Sequence, residues 1–199
     1  MKAHVKSLVL DKVSQYAADD LGKVDFARVT AGGTVAVDHT SVGVNSDLPL
    51  LKRLLQRFEV AVYGHPPEVA LSVGKPVDGN VWGAGQCYQF KGAGGGDFTV
   101  KMKDPVFVSS VSVEHYGARN APERFTVWGY KDKRITPKSK PVNLGSFKYE
   151  SGGAGGDEFI QEFKVKSHKQ PAFRFVKYEF TGSTGGALCL HRVRIFGKT

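Results

Sequence analysis

Hydrophobic positions follow two different periods along this chain. In residues 5–22, Val5, Leu8, Val9, Val13, Tyr16 and Ala17 fall on one stripe, which predicts an amphipathic helix ending at Gly22. A helix this short is marginal alone, so it must pack on its own domain or on copies of itself. A second helix is predicted to start near Ser46 or Asp47, either of which can cap it. It runs through Leu50, Leu51, Leu54, Leu55 and Phe58, with Lys52, Arg53 and Arg57 on the other face. From residue 86 onward the period becomes two: Phe98, Val100 and Met102 alternate with Thr99, Lys101 and Lys103. Similar runs occupy 106–114, 125–130, 144–149, 159–165, 173–180 and 188–196. Short strands separated by Gly, Pro and Ser clusters predict an all-β fold, an antiparallel β-sandwich. The βαβ alternation of an open parallel sheet is missing.

Composition narrows the function classes. A chain of 199 residues forms one domain with a short appendage, large enough to bury about 70 % of its unfolded surface without a disulfide scaffold. No run approaches the roughly 20 apolar residues that cross a bilayer, and Lys2-Ala3-His4 after Met1 do not read as a signal peptide. The net charge of +9 invites a nucleic-acid reading. Its cations, however, are spread through predicted strands and turns, and the densest group, within 131–140, sits in a Pro-containing loop. That is the pattern of a solvated loop with weak attraction to acidic partners, not of a nucleic-acid reader.

Candidate chemistry is sparse. Gly92-Ala93-Gly94-Gly95-Gly96-Asp97 and Gly152-Gly153-Ala154-Gly155-Gly156-Asp157 look alike, but strands follow both. A phosphate cradle would need a helix there, so they read as flexible hairpin connections. The 6 histidines form no helical zinc pair. Cys87 and Cys189 belong to no Cys-x-x-Cys motif; either they are separate buried thiols or they bond each other. No nucleophile–base pair or carboxylate dyad stands in a recognisable motif, and no enzyme is expected.

Several segments carry a resemblance in sequence order. They are Val24-Asp25-Phe26-Ala27 with Ala31-Gly32-Gly33, Gln86-Cys87-Tyr88-Gln89-Phe90-Lys91-Gly92, Val113-Glu114-His115, Asn120-Ala121-Pro122-Glu123-Arg124-Phe125, and the closing Cys189-Leu190-His191-Arg192-Val193-Arg194-Ile195-Phe196-Gly197. Over residues 8–197 the chain resembles the SUN domain (Sad1/UNC-84 homology), the C-terminal lumenal module of inner-nuclear-membrane proteins of LINC complexes. The resemblance implies a discoidin-like (galactose-binding-like) β-sandwich at 24–199, preceded by a helical extension at 1–23 that ends a coiled-coil or linker region.

The implied work is mechanical. Such a domain assembles as a homotrimer in the perinuclear space and binds the C-terminal tail of a KASH-domain protein. It thereby tethers inner to outer nuclear membrane and passes cytoskeletal force to the nucleus. Membrane contact is expected only through a missing upstream segment, and nucleic acid is not a partner of this domain.

The resemblance also assigns residues. Cys87 and Cys189 fall at the positions of the family's intradomain disulfide, which requires an oxidising compartment. His115, Asn120, Ala187 and His191 fall at the pocket for the free carboxylate of the KASH tail, where imidazole, hydroxyl and backbone N–H groups are the capturing donors. His191 and Ala187 stand where the family has Tyr, and Asn120 where it has Ser, so the tail's last residues are expected to differ from those of animal partners. A histidine near its ordinary pKa of about 6.5 would make tail affinity fall from pH 6 to 8.

Residues 41–66 correspond to the KASH lid, with Leu54, Leu55 and Phe58 on its helix and Val60, Val62 and Tyr63 on its strand. Thr40 is nearest to the Cys that in animal relatives links covalently to the partner, so that link is expected to be absent. Residues 72–86 correspond to a loop for a monovalent cation (K⁺ or Na⁺), with Asp78, Asn80 and Gln86 as oxygen donors. That segment is longer than in animal relatives. Two alternatives to the LINC reading are a carbohydrate-binding discoidin-like β-sandwich, since fold alone does not separate them, and a SUN-like endoplasmic reticulum protein.

Overall fold

A computed structural model describes residues 23–41, 43, 70–71, 87–92, 94–115, 117–151, 160–166 and 170–199. The predicted helices at 5–22 and 46–58 lie outside these residues, as do Asp78, Asn80 and Gln86 of the cation segment. So do Leu54, Leu55, Phe58, Val60, Val62 and Tyr63, the residues expected to form the lid.

The strands in chain order are β1 (Thr34–Val35), β2 (Tyr88–Gln89), β3 (Gly95–Glu114), β4 (Pro122–Tyr130), β5 (Val142–Lys148), β6 (Ile160–Lys164), β7 (Phe173–Ser183), β8 (Cys189–Leu190) and β9 (Arg192–Lys198). Every ladder among them is antiparallel. One layer has the order β1-β3-β7-β4-β5; β3 then runs on to pair with β6 and β9. This is the sandwich that the alternation predicts.

β3 joins the two layers. Up to Val106 it pairs with β1 and β7, and from Phe107 it pairs with β9, and from Ser110 also with β6. Sequence alternation suggests two strands broken near Pro105. The structure instead has one strand of 20 residues with register shifts between Lys101 and Val106 and between Val108 and Ser110. Pro105 cannot donate to a ladder; it is exposed and falls within the first irregularity, where no donor is required.

The core lies between the layers. Phe98, Val100, Val127, Tyr178 and Phe180 of one face Val111, Val113, Val193 and Ile195 of the other, all nearly or fully buried. Phe163 of β6 reaches across, 5.0 Å from the Phe125 ring and 5.1 Å from the Phe147 ring. Tyr178 donates its buried hydroxyl to the Arg194 carbonyl at 2.8 Å. Burial raises the Tyr178 pKa well above its ordinary value, so the group stays a donor.

The first glycine run is only partly a hairpin connection, because Gly95, Gly96 and Asp97 already belong to β3. Gly95 has φ +94°, and a Cβ there would sit 2.3 Å from the Phe180 carbonyl oxygen. Only glycine lets β3 and β7 begin pairing at that point.

Candidate functional site

The segment that opens the described chain is held by charge. Asp25 is 1 % exposed. Its Oδ1 accepts the N–H of Ala27 at 2.9 Å and of Ile195 at 3.1 Å, and its Oδ2 accepts Nη2 of Arg192 at 3.2 Å. Phe26 donates its N–H to the Ile195 carbonyl at 2.9 Å. The Val-Asp-Phe-Ala motif and the closing Arg-Val-Arg-Ile motif are thus one structure, an acidic clasp on β9. Beside it, Arg194 pairs with Glu114 at 2.6 Å, both buried.

Glu114 is followed by His115, which is 2 % exposed at the end of β3. Its Nδ1 lies 2.8 Å from the Cys189 carbonyl oxygen and its Nε2 lies 3.0 Å from that of Arg119. Carbonyl oxygens only accept, so both contacts are satisfied together only by the doubly protonated ring. Burial opposes that charge and outweighs the two carbonyls, leaving the His115 pKa below its ordinary value. Tyr149 donates its hydroxyl to the His115 carbonyl at 3.3 Å, and burial raises its pKa to about 12.

His191 sits where the chain changes partners. Cys189 and Leu190 pair with β2, whereas Arg192 onward pairs with β3, so the predicted strand 188–196 is divided at this residue. The His191 Nδ1 lies 3.2 Å from the Nδ1 of His115. Burial, and then the neighbouring His115, lower its pKa to about 3. His191 is therefore neutral between pH 6 and 8, which shifts the charged-donor window expected of it to lower pH.

Asn120 completes the group. It adopts φ 60°, a left-handed conformation that Asn tolerates better than most residues. Its carbonyl accepts the Cys189 N–H at 3.0 Å. The turn is fastened by Thr184, which the sequence reading did not single out. Thr184 donates its hydroxyl to Ala118 at 2.6 Å, and its Oγ1 accepts the Ala121 N–H at 3.1 Å. A threonine in a Gly-Ser-Thr-Gly-Gly run gives only a loop signal, so nothing local marks this role. Gly186, next to Ala187, borders the Asn120 side chain; a Cβ there would lie 3.3 Å from Asn120 Oδ1. His115, Asn120 and His191 are thus brought to one end of the sandwich, with half-buried Ala187 on the adjoining segment.

The Cys87–Cys189 disulfide is present, with Cα atoms 5.5 Å apart. It joins β8 to the residue before β2, and the backbone of Cys189 holds both His115 and Asn120. Ser41 and Gly43, the described residues of the segment expected to form the lid, are also bonded to the sandwich. Ser41 exchanges bonds with Asp97, its N–H donating at 2.7 Å and its Oγ accepting at 2.8 Å. Gly43 bridges to Phe90. Thr40, the nearest match to the Cys expected to link covalently in animal relatives, donates its hydroxyl to the Ala36 carbonyl at 3.0 Å and accepts the Thr99 N–H at 3.1 Å.

Comparison with known proteins places this geometry. The chain is 28 % identical to the nuclear migration and anchoring protein unc-84 of Caenorhabditis elegans, over 99 % of this chain and 17 % of unc-84. It is 28 % identical to human SUN domain-containing protein 5, over 90 % of this chain and 45 % of that protein. It is 27 % identical to the Drosophila melanogaster Klaroid protein, over 98 % of this chain and 20 % of Klaroid. The chain thus spans less than half the length of each of these relatives. Among solved structures, allantoicase superposes with a TM-score of 0.55 at 15 % identity, covering 88 % of this chain and 43 % of that one. The family 32 carbohydrate-binding module of Streptococcus pneumoniae EndoD superposes at 0.51 and 13 % identity, covering 87 % and 99 %. These two show the sandwich fold alone. The family model Sad1 / UNC-like C-terminal matches residues 52–199, and the chain belongs to that family, the SUN domains.

Proposed function

We propose that this SUN domain captures the carboxyl-terminal tail of a KASH protein at the His115, Asn120 and His191 end of the sandwich. In this reading it works as a homotrimer in the perinuclear space, where it links the two nuclear membranes and carries cytoskeletal force. The observation that carries the reading is the meeting of two imidazoles beside the disulfide-held Cys189, whose backbone also bonds Asn120. Ring N–H groups and backbone N–H groups suit a terminal carboxylate. The task is binding, and no described group is arranged for a reaction. An oxidising lumen agrees with the Cys87–Cys189 bond.

The test is direct binding of a synthetic KASH tail against its C-terminal amide, with domain mass measured alongside. Tight binding of the acid, weak binding of the amide, and loss of binding on deleting 44–66 while cooperative unfolding persists are the expected results. Equal binding of acid and amide would remove the pocket from the mechanism. Retention on immobilised galactosides without tail binding would favour the carbohydrate-binding alternative.

A further inference from the structure

The opposite end of β4 carries an excess of positive charge that neither the fold nor the pocket uses. Tyr130 at the end of β4 is the register partner of Phe175 on β7, which is also the partner of Lys101 on β3. Lys131 therefore leaves the sheet level with Arg174, whose Nη1 donates to the Lys103 carbonyl at 3.0 Å. Gly129 pairs with Val142, which sets Lys140 level with Lys131. The connection between them adds Lys133, Arg134 and Lys138, all exposed. It is a built turn: Thr136 and Ser139 bond each other three times, at 2.9, 3.0 and 3.3 Å.

Asp104 and Asp132 are the carboxylates in these segments. The ion pairs seen among the described residues lie elsewhere, as with Lys23–Glu162, Lys148–Glu150 and Lys177–Asp97. Like charges held across neighbouring strands oppose folding, so this arrangement calls for an external counter-charge.

Three observations select the kind of partner. Most of the cations are lysines, compact point charges that suit a diffuse anionic surface more than paired recognition. A row of rings on which successive bases could stack is not formed by the described residues here, since Tyr130, Phe173 and Phe175 are buried and Phe107 stands as a single exposed ring. The same end does expose an apolar wedge: Phe107 is 54 % exposed just past Val106, the partner of Phe173, and it pairs with Lys198. Cations beside an exposed Phe match the chemistry of a bilayer interface, with ammonium groups at the headgroups and the ring at the acyl boundary.

We infer that the β4–β5 end of the sandwich docks on an anionic bilayer surface, through lysines of the 131–140 connection and Phe107. This contact is separate from the expected upstream membrane anchor and from the tail pocket. The nine residues of β4 set it about 30 Å from Pro122 at the pocket end.

The experiment is cosedimentation of the domain with vesicles of phosphatidylcholine containing about 30 % phosphatidylserine, and with phosphatidylcholine alone. Binding to the anionic vesicles only, falling as salt rises, is expected. Replacing Lys131, Lys133, Arg134, Lys138 and Lys140 together with Gln should weaken it at least about tenfold, because each cation near such a surface contributes roughly fivefold. Phe107→Ser should weaken it with little change in salt dependence. If the fivefold variant fails to melt cooperatively, Lys133→Glu with Lys138→Glu at the exposed turn decides instead. No binding to anionic vesicles, equal binding to neutral ones, or equal binding by the charge variants would overturn the inference. Capture of polyglutamate or duplex DNA without vesicle binding would also overturn it and assign the surface to another polyanion.

Discussion

His115 and His191 meet edge to face, their ring centroids 4.7 Å apart and their planes at 75°. Both folded-state pKa values lie below the ordinary histidine value, chiefly through burial. Below pH about 6.5 the unfolded chain therefore takes up more protons than the folded one. Stability from this pair is complete above that pH and is lost on acidification toward the folded value, about 3 for His191. The urea midpoint should fall from pH 7 to 5, with His191 contributing on the order of 2 kcal/mol at pH 5. His191→Tyr should lessen the slope. A midpoint constant over that range would show that the rings titrate freely in the fold.

The same shift alters the expected pH profile of tail capture. With His191 neutral in the free domain, its contribution to affinity should stay nearly constant from pH 6 to 8 and strengthen only at lower pH, where a bound carboxylate favours the imidazolium. Titration calorimetry across that range checks it. A steep loss of affinity between pH 6 and 8 would mean that the tail raises a histidine pKa into that window.

Loss of the disulfide should damage the pocket as well as stability. Cys87→Ser should cost about 2–5 kcal/mol, because the bond closes a long loop. It should also weaken tail binding, since the Cys189 carbonyl faces His115 and its N–H is bonded to Asn120. Denaturation with and without reductant, read beside peptide affinity, separates the effects. Unchanged affinity in a fully reduced, folded domain would show that the β8 backbone holds its place unaided.

Removing the clasp should be severe. Asp25→Ala removes a buried carboxylate partner of the Arg192 guanidinium, which is 3 % exposed, and leaves the Ala27 and Ile195 N–H groups without this acceptor. A cost of about 3–5 kcal/mol is expected. A melting temperature within a degree or so of the parent would contradict the clasp.

Much of this architecture is legible in the sequence because two-residue periodicity survives wherever one strand face is buried. Phe98-Val100-Met102 and Phe125-Val127 are of that kind, and the family resemblance correctly anticipates the Cys87–Cys189 bond. Three features escape for physical reasons. β1 and β2 are two residues each, too short for any period to show. Pro105 reads as a break because a sequence does not reveal a bulge that dispenses with its missing N–H. The roles of Thr184 and Tyr149 depend on partners 63 and 34 residues away, a separation that no local pattern encodes. Motif order singles out His115 and His191, and the fold brings their rings together, but the lowering of their pKa values follows from burial, which appears only after folding.

The continuity of β3 determines how the domain would yield under tension. His115 lies directly at its end, and β6 and β9 flank that half of the strand on opposite sides, while β1 and β7 flank the other half. A pull along β3 from the His115 end loads these ladders sideways, so many cross-strand bonds must slip together. A pull at right angles to a ladder would instead peel them one pair at a time. The strand that ends at His115 is thus grained like timber stressed along its length, and under the proposed tail capture its resistance should depend strongly on the direction of the pull.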